Sequence, residues 1–208
     1  MFQHRIILFG TGALISTAVL DHLLAYSLKP VALVLPGFAP SILKGPGEIP
    51  VDRGGEDNLF VSAAKRLSIP LIYLPESSQT SEVKTITELK ADFLLVACWP
   101  YLLASEIVHA VDKAALNLHP SLLPDYRGAD PVNVQLECRE QNLGVSLHLL
   151  SQEFDRGDII GQVGLEIGNQ VPGRELIETQ AAWLGTRLFA QAIENFGGPD
   201  WEPRPQCL

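Results

Sequence analysis

Ala114-Ala115-Leu116-Asn117-Leu118-His119-Pro120-Ser121-Leu122-Leu123-Pro124-Asp125-Tyr126-Arg127-Gly128 is the stretch on which the reading of this chain turns. It opens as an apolar run, Ala114 to Leu118, and carries an amide and an imidazole at alternate positions, Asn117 and His119. In an extended strand alternate side chains face the same way, so these share one face. Pro120 ends the strand, because proline has no N–H to give to a ladder. Two polar side chains therefore converge at the carboxyl end of a buried strand, which is where open α/β sheets bind ligands. Downstream, Glu153-Phe154-Asp155-Arg156-Gly157-Asp158-Ile159-Ile160 offers a carboxylate able to meet the imidazole.

Further apolar runs lie on the N-terminal side of this strand, at Arg5–Phe9, Pro30–Leu35, Pro70–Leu74 and Asp92–Ala97, each with the look of a buried parallel strand. Helical spacing separates them, over Ala13–Tyr26, Leu59–Leu67 and Ser81–Leu89. Residues 36–56, rich in Pro and Gly, read as a long loop of the kind that is functional or disordered. C-terminal to the strand, Pro131–Glu140 reads as a helix with proline in its first turn. Gly144–Leu150 and Ile159–Ile167 read as adjacent strands joined by the Asp155 loop, and Glu175–Phe196 as a long amphipathic helix. Strands alternating with helices predict an α/β fold, a Rossmann-like, mostly parallel sheet with helices on both faces. One domain over residues 1–197 and an irregular tail over 198–208 are expected.

Length and composition narrow the class. The 208 residues are 47% hydrophobic and 19% charged, as in a globular protein. No apolar run reaches the roughly 20 residues that cross a bilayer, and no cleavable leader is evident, so a cytoplasmic protein without membrane contact is expected. The net charge is -9, and the 15 Lys and Arg are scattered, with no run longer than Lys65-Arg66. That weighs against nucleic acid as a partner. Cys98, Cys138 and Cys207 show neither a disulfide framework nor zinc spacing, so no metal is expected.

Asn-x-His-Pro-Ser-Leu-Leu-Pro-x-Tyr-Arg-Gly at 117–128, followed by Gly144-Val145-Ser146-Leu147-His148 and Asp155-x-Gly-Asp-Ile-Ile, resembles the folate-dependent formyltransferases, which include methionyl-tRNA, glycinamide ribonucleotide and amino-sugar formyltransferases. The resemblance runs over about residues 1–195. It implies the formyltransferase fold, 10-formyltetrahydrofolate as co-substrate and an amine as acceptor. Methionyl-tRNA formyltransferases add a C-terminal β-barrel where this chain stops. The expectation is therefore a small amine, such as a nucleotide-linked amino sugar, ahead of tRNA. Hydrolysis of the same donor and non-catalytic folate binding are the alternatives.

By that resemblance, Asn117 bonds the formyl oxygen, His119 stabilises the oxyanion or moves a proton, and Asp155 orients His119. Taken singly, Asn117 could be a strand-end cap, His119 a core histidine and Asp155 an Asx turn. The resemblance also places Trp99, Tyr101, Leu102 and Leu103, with backbone near Asp155, against the folate pterin; ordinary packing of the segment is the alternative. Gly10-Thr11-Gly12 stands at a strand-to-helix turn that could hold a phosphate of the acceptor or be only a tight turn. A dinucleotide fingerprint is excluded by Ile15 and by Leu35-Pro36-Gly37. Arg127 could bind an anionic part of the substrate or shape its loop. Ser121 reads as a loop hydrogen-bonder and His148 as a core histidine rather than a catalyst.

Overall fold

Alternation of short apolar runs with amphipathic segments does produce an α/β fold. The computed structural model describes residues 4–37, 58–76, 80–167 and 172–207. Most of the Pro- and Gly-rich stretch expected as a long loop, residues 38–57, lies outside them. The strands are β1 (Ile6–Gly10), β2 (Ala32–Pro36), β3 (Leu71–Leu74), β4 (Phe93–Ala97), β5 (Ala114–His119), β6 (Gly144–Leu149) and β7 (Ile159–Gly164). The helices are α1 (Leu14–Ala25), α2 (Leu59–Leu67), α3 (Thr80–Glu88), α4 (Ser105–Val108), α5 (Pro131–Glu137) and α6 (Arg174–Glu194). The short α4 is an addition to the expected elements. Along the seven-stranded sheet the order is β3-β2-β1-β4-β5-β6-β7. The chain divides into two compact units, Met1–Ala115 and Leu116–Leu208.

In the first unit, β1 pairs in parallel with β2 and β4, and β2 with β3. Every residue of β1, β2 and β4 is buried, so these strands are apolar throughout rather than alternating. Helix α1 packs on β1 and β4, and α2 on β2.

The β1–α1 turn explains one pair of residues. Gly12 has φ +80, and a Cβ there would stand 2.3 Å from Asn58 Oδ1. Asn58 is fully buried. Its Oδ1 caps α2 by accepting from Phe60 N at 2.8 Å, and its Nδ2 donates to Thr11 O at 3.0 Å. Asn58→Ala removes a cap and leaves a buried carbonyl short of its donor. It should cost on the order of 2–4 kcal/mol, read as a shift of the urea midpoint at unchanged slope.

The second unit supplies the antiparallel part of the mostly parallel sheet. Here β5 pairs antiparallel with β6, and β6 with β7. The β6–β7 link is short, whereas a parallel return needs a crossover of about a dozen residues or more. Helix α5 stands between β5 and β6 without making a parallel crossover. Asp130 caps α5, accepting from Asn133 N at 3.4 Å, with Pro131 opening the first turn where no N–H is missed. Helix α6 packs on β6, β7 and α5, burying Ile177, Ala181, Gly185 and Phe189. Among the described residues no helix is long and apolar enough to cross a membrane.

Candidate active site

Strand register assembles the site. In the antiparallel pair Asn117 stands opposite His148, and His119 opposite Ser146, so all four side chains belong to one face of the β5–β6 ladder. Asp155 arrives from the β6–β7 connection. Its Oδ1 accepts from Asn117 Nδ2 at 3.3 Å and lies 3.4 Å from His119 Nδ1 and 3.6 Å from His148 Nε2. Asp155 Oδ2 accepts from Gly128 N at 2.9 Å. The His119 and Asp155 side chains are only 5% and 9% exposed, so these interactions operate largely out of water.

The residue that sequence reasoning missed is His148. It is buried, as a core histidine would be, yet its Nε2 lies 3.0 Å from Asn117 Nδ2. Its Nδ1 lies 2.8 Å from the Leu149 carbonyl. A carbonyl only accepts, so Nδ1 carries a proton there, and in the neutral ring Nε2 is left to accept from Asn117. That bond orients the Asn117 amide. A signal was present, a polar residue within a strand next to the motif strand, but its partner depends on register.

The same logic applies to His119. Its Nε2 lies 2.8 Å from Tyr126 O and must donate to it, which leaves Nδ1 bare in the neutral ring, facing Asp155. Burial is the largest influence on His119 and holds its imidazole below the ordinary value, against the opposing pull of Asp155 and the Tyr126 carbonyl. For Asp155, burial alone would raise the carboxyl. The His148 and His119 rings, when they carry a proton toward it, and the Gly128 amide outweigh it, so the group lies below the usual carboxylate range. The pair thus rests as carboxylate and neutral imidazole, with an empty basic nitrogen aimed at a negative charge. A proton delivered to His119 Nδ1 would be stabilised at once.

The surrounding loops are held by many polar bonds. Asp155 has φ 54, a left-handed backbone that Asp tolerates better than most residues. Arg127, left open between ligand and loop, donates from Nε to Asp155 O at 3.3 Å and from Nη2 to Gln206 Oε1 at 2.6 Å. It serves loop geometry here. Ser121 Oγ donates to Asp125 O at 2.7 Å. Ser146 Oγ donates to Ser121 O at 2.7 Å and accepts from Leu123 N at 3.0 Å. The Leu123-Pro124 peptide is cis.

In the first unit the other candidates are arranged as follows. Within Gly10-Thr11-Gly12, the Gly12 amide donates to Ser16 Oγ at 3.0 Å and the Ala13 amide reaches Thr11 Oγ1 at 3.3 Å. The Gly12 and Ala13 amides are thus used inside the turn, and a Cβ at Gly10 would meet Ser16 Cβ at 2.6 Å. Close packing accounts for the glycines. After β4, Trp99 stands edge-on to Phe9 and to Tyr101, at 5.2 Å between centroids in each case. The Tyr101 hydroxyl donates to Leu74 O and accepts from Gly37 N at 3.2 Å, and its burial pushes the phenol up to about 12. Leu103 is buried and Leu102 is exposed. Among the described residues the buried Trp99 Nε1 meets no hydrogen-bond partner, and such a donor suits an acceptor atom of a ligand. Among the described residues no group of His, Cys, Asp and Glu could hold a metal ion.

Comparison with known proteins matches residues 56–193 to the formyl transferase family model. The methionyl-tRNA formyltransferase of Helicobacter pylori (strain P12) is 31% identical over 131 residues, 63% of this chain and 42% of that protein. The chain spans about half the length of the curated relatives it matches. Among solved structures, phosphoribosylglycinamide formyltransferase from Bacillus halodurans superimposes with TM-score 0.65 at 22% identity, over 89% of this chain and 91% of that one. A formyltetrahydrofolate deformylase from Pseudomonas syringae pv. tomato gives TM-score 0.66 at 17% identity, over 93% and 61%. These structures share the fold.

Proposed function

Because the chain belongs to the formyl transferase family, we propose that it moves the formyl group of 10-formyltetrahydrofolate to the amine of a small acceptor, such as a nucleotide-linked amino sugar. The observation that carries this reading is the convergence of Asn117, His119 and His148 on the single carboxylate of Asp155. The folate supplies an activated formyl group, whose carbon forms a bond to the acceptor nitrogen as its bond to the folate nitrogen breaks. His119 Nδ1 takes the proton that the acceptor nitrogen must lose and returns it to the departing folate nitrogen. Asp155 stabilises the transient imidazolium. Asn117 supplies a donor to the formyl oxygen as negative charge develops there, giving up its longer bond, the 3.3 Å contact to Asp155. His148 holds the amide in the orientation that presents this donor.

For the donor itself, Trp99 and Tyr101 offer aromatic edges and Trp99 Nε1 an N–H with no partner among the described residues, which fits a flat heterocycle rich in acceptors. Leu102 and Leu103 complete that segment. Gly10, Thr11 and Gly12 are left out of the reading, since the Gly12 and Ala13 amides are used within the turn, and Arg127 enters as a loop residue. The curated relatives bear the name of methionyl-tRNA, so that substrate belongs among the acceptors to be tried; the acidic balance of this chain favours the small amine.

The test is release of tetrahydrofolate from 10-formyltetrahydrofolate, followed spectrophotometrically with a panel of small amines, with methionyl-tRNA, and with no acceptor. Release that requires a small amine is the expected result. Equal release without any amine would turn the reading into hydrolysis. Binding of the folate without release under all conditions would leave a binding protein.

A further inference from the structure

We propose that Gln206 is a positioning residue of this site: its amide ties the Asp155 turn to Arg127 and thereby sets where the Asp155 carboxylate stands. The proposal rests on the formyl-transfer reading for its kinetic consequence, though its geometry does not. Gln206 Nε2 donates to Asp155 O and to Gly157 O, each at 2.8 Å. Its Oε1 accepts from Arg127 Nε at 3.2 Å and Nη2 at 2.6 Å. Turned over, the amide would set its N–H groups against a guanidinium and its oxygen against two carbonyls, so the partners themselves fix its orientation.

The tail is brought there by structure. Trp201 packs on Phe196 with ring centroids 4.7 Å apart, seating the tail on the end of α6. Arg204 and Ile159 then exchange backbone bonds, Ile159 N to Arg204 O at 2.8 Å and Arg204 N to Ile159 O at 2.9 Å. Residues 204–206 therefore run beside the turn that carries Asp155. That turn needs support, because a non-glycine residue at positive φ persists only where its surroundings hold it. The Asp155 carbonyl is gripped by Gln206 and Arg127, and its carboxylate by Gly128 and Asn117. Removing Gln206 leaves the Asp155 carbonyl on its longer bond to Arg127, at 3.3 Å, so the turn is held less firmly.

An amide is the only side-chain chemistry that serves. A carboxylate at 206 would still bind Arg127 but would face two carbonyl oxygens with no proton to give. Gln206→Glu and the near-isosteric Gln206→Met therefore form the test, made in the whole chain. Both are expected to lower kcat by about 10- to 100-fold, the effect of moving a catalytic group by a fraction of an ångström to an ångström. The KM for 10-formyltetrahydrofolate should stay within about twofold, because the loss falls on the transition state. Native kcat in Gln206→Glu would overturn the proposal. So would a loss of kcat that only tracks a lowered melting temperature and returns on cooling, since that marks a mere anchor of the tail. A readout independent of turnover is the side-chain amide signal of Asn117 by ¹⁵N NMR, which is expected to move in both variants. An unmoved signal overturns the proposal even if no acceptor supports release, an outcome that would defeat the functional reading separately.

Discussion

Asp155→Asn is expected to lower turnover by about 10²- to 10⁴-fold, the range over which a positioned proton-transfer apparatus acts, while the fold stays intact. Asparagine matches the carboxylate in shape and accepts the left-handed backbone at φ 54. Its oxygen can still accept from Gly128. What it lacks is the charge that receives the His119 imidazolium. The pH dependence supplies a second readout with a definite sign. His119 must be neutral to take a proton, and burial holds its imidazole below 6.5. The acidic limb of the kcat/KM profile is therefore expected below pH 6.5 in the native protein. Asp155 pulls the imidazole upward, so its neutral replacement should move the limb further toward acid. Activity within about fivefold of native would remove Asp155 from the mechanism, and a limb shifted toward alkali would contradict the proposed pairing.

The largest expected effect on stability comes from Gly157→Ala. A Cβ on Gly157 would lie 1.8 Å from the Leu149 carbonyl oxygen, which is backbone and cannot swing aside as a side chain would. The displacement spreads to neighbouring bonds. Leu149 N donates to Asp158 O at 2.9 Å, Leu149 O meets His148 Nδ1 at 2.8 Å, and Gly157 O accepts from Gln206. A loss on the order of 3 kcal/mol or more is expected, read from the urea midpoint. A midpoint equal to native would mean that the turn is far more plastic than its bonds suggest. The methyl group also dislodges the carbonyl that orients His148, so residual folded protein should be slow as well.

These predictions draw on parts of the molecule that were unequally legible beforehand. The Ala114–His119 strand was readable because a periodicity of two residues is local: it needs only the run and the proline that ends it. From that followed the shared face of Asn117 and His119, and both do reach Asp155. The pairing of Gly144–Leu150 with Ile159–Ile167 around the Asp155 loop was readable for a similar reason, since a short link between alternating segments leaves few geometries. His148 was not. Its place opposite Asn117 depends on the pairing of β5 with β6, which no local pattern records. Gln206 lies 51 residues from Asp155, in a stretch rich in proline whose composition says only that it forms no helix. The turn at Gly10–Gly12 was readable either as a phosphate holder or as a tight turn, because Asn58, which packs against it, comes 47 residues later than Thr11. Sequence reasoning thus reached the groups placed by local periodicity and not those that tertiary pairing delivers.

The pairing of Asn117 with His148 across two strands also bears on how the second unit finds its own alignment. A slip of one residue along β6 would turn His148 to the opposite side and set Leu147 against the Asn117 amide. The apolar residues would object little, because most of β5 and β6 is buried on both faces. The polar ones would object strongly, with the amide, the imidazole and the Asp155 carboxylate each stranded without partners in a dry setting. The same side chains proposed to move protons thereby act as the teeth of a key: only one alignment of these strands satisfies them, and an aliphatic pair in their place would leave the hairpin free to settle in several.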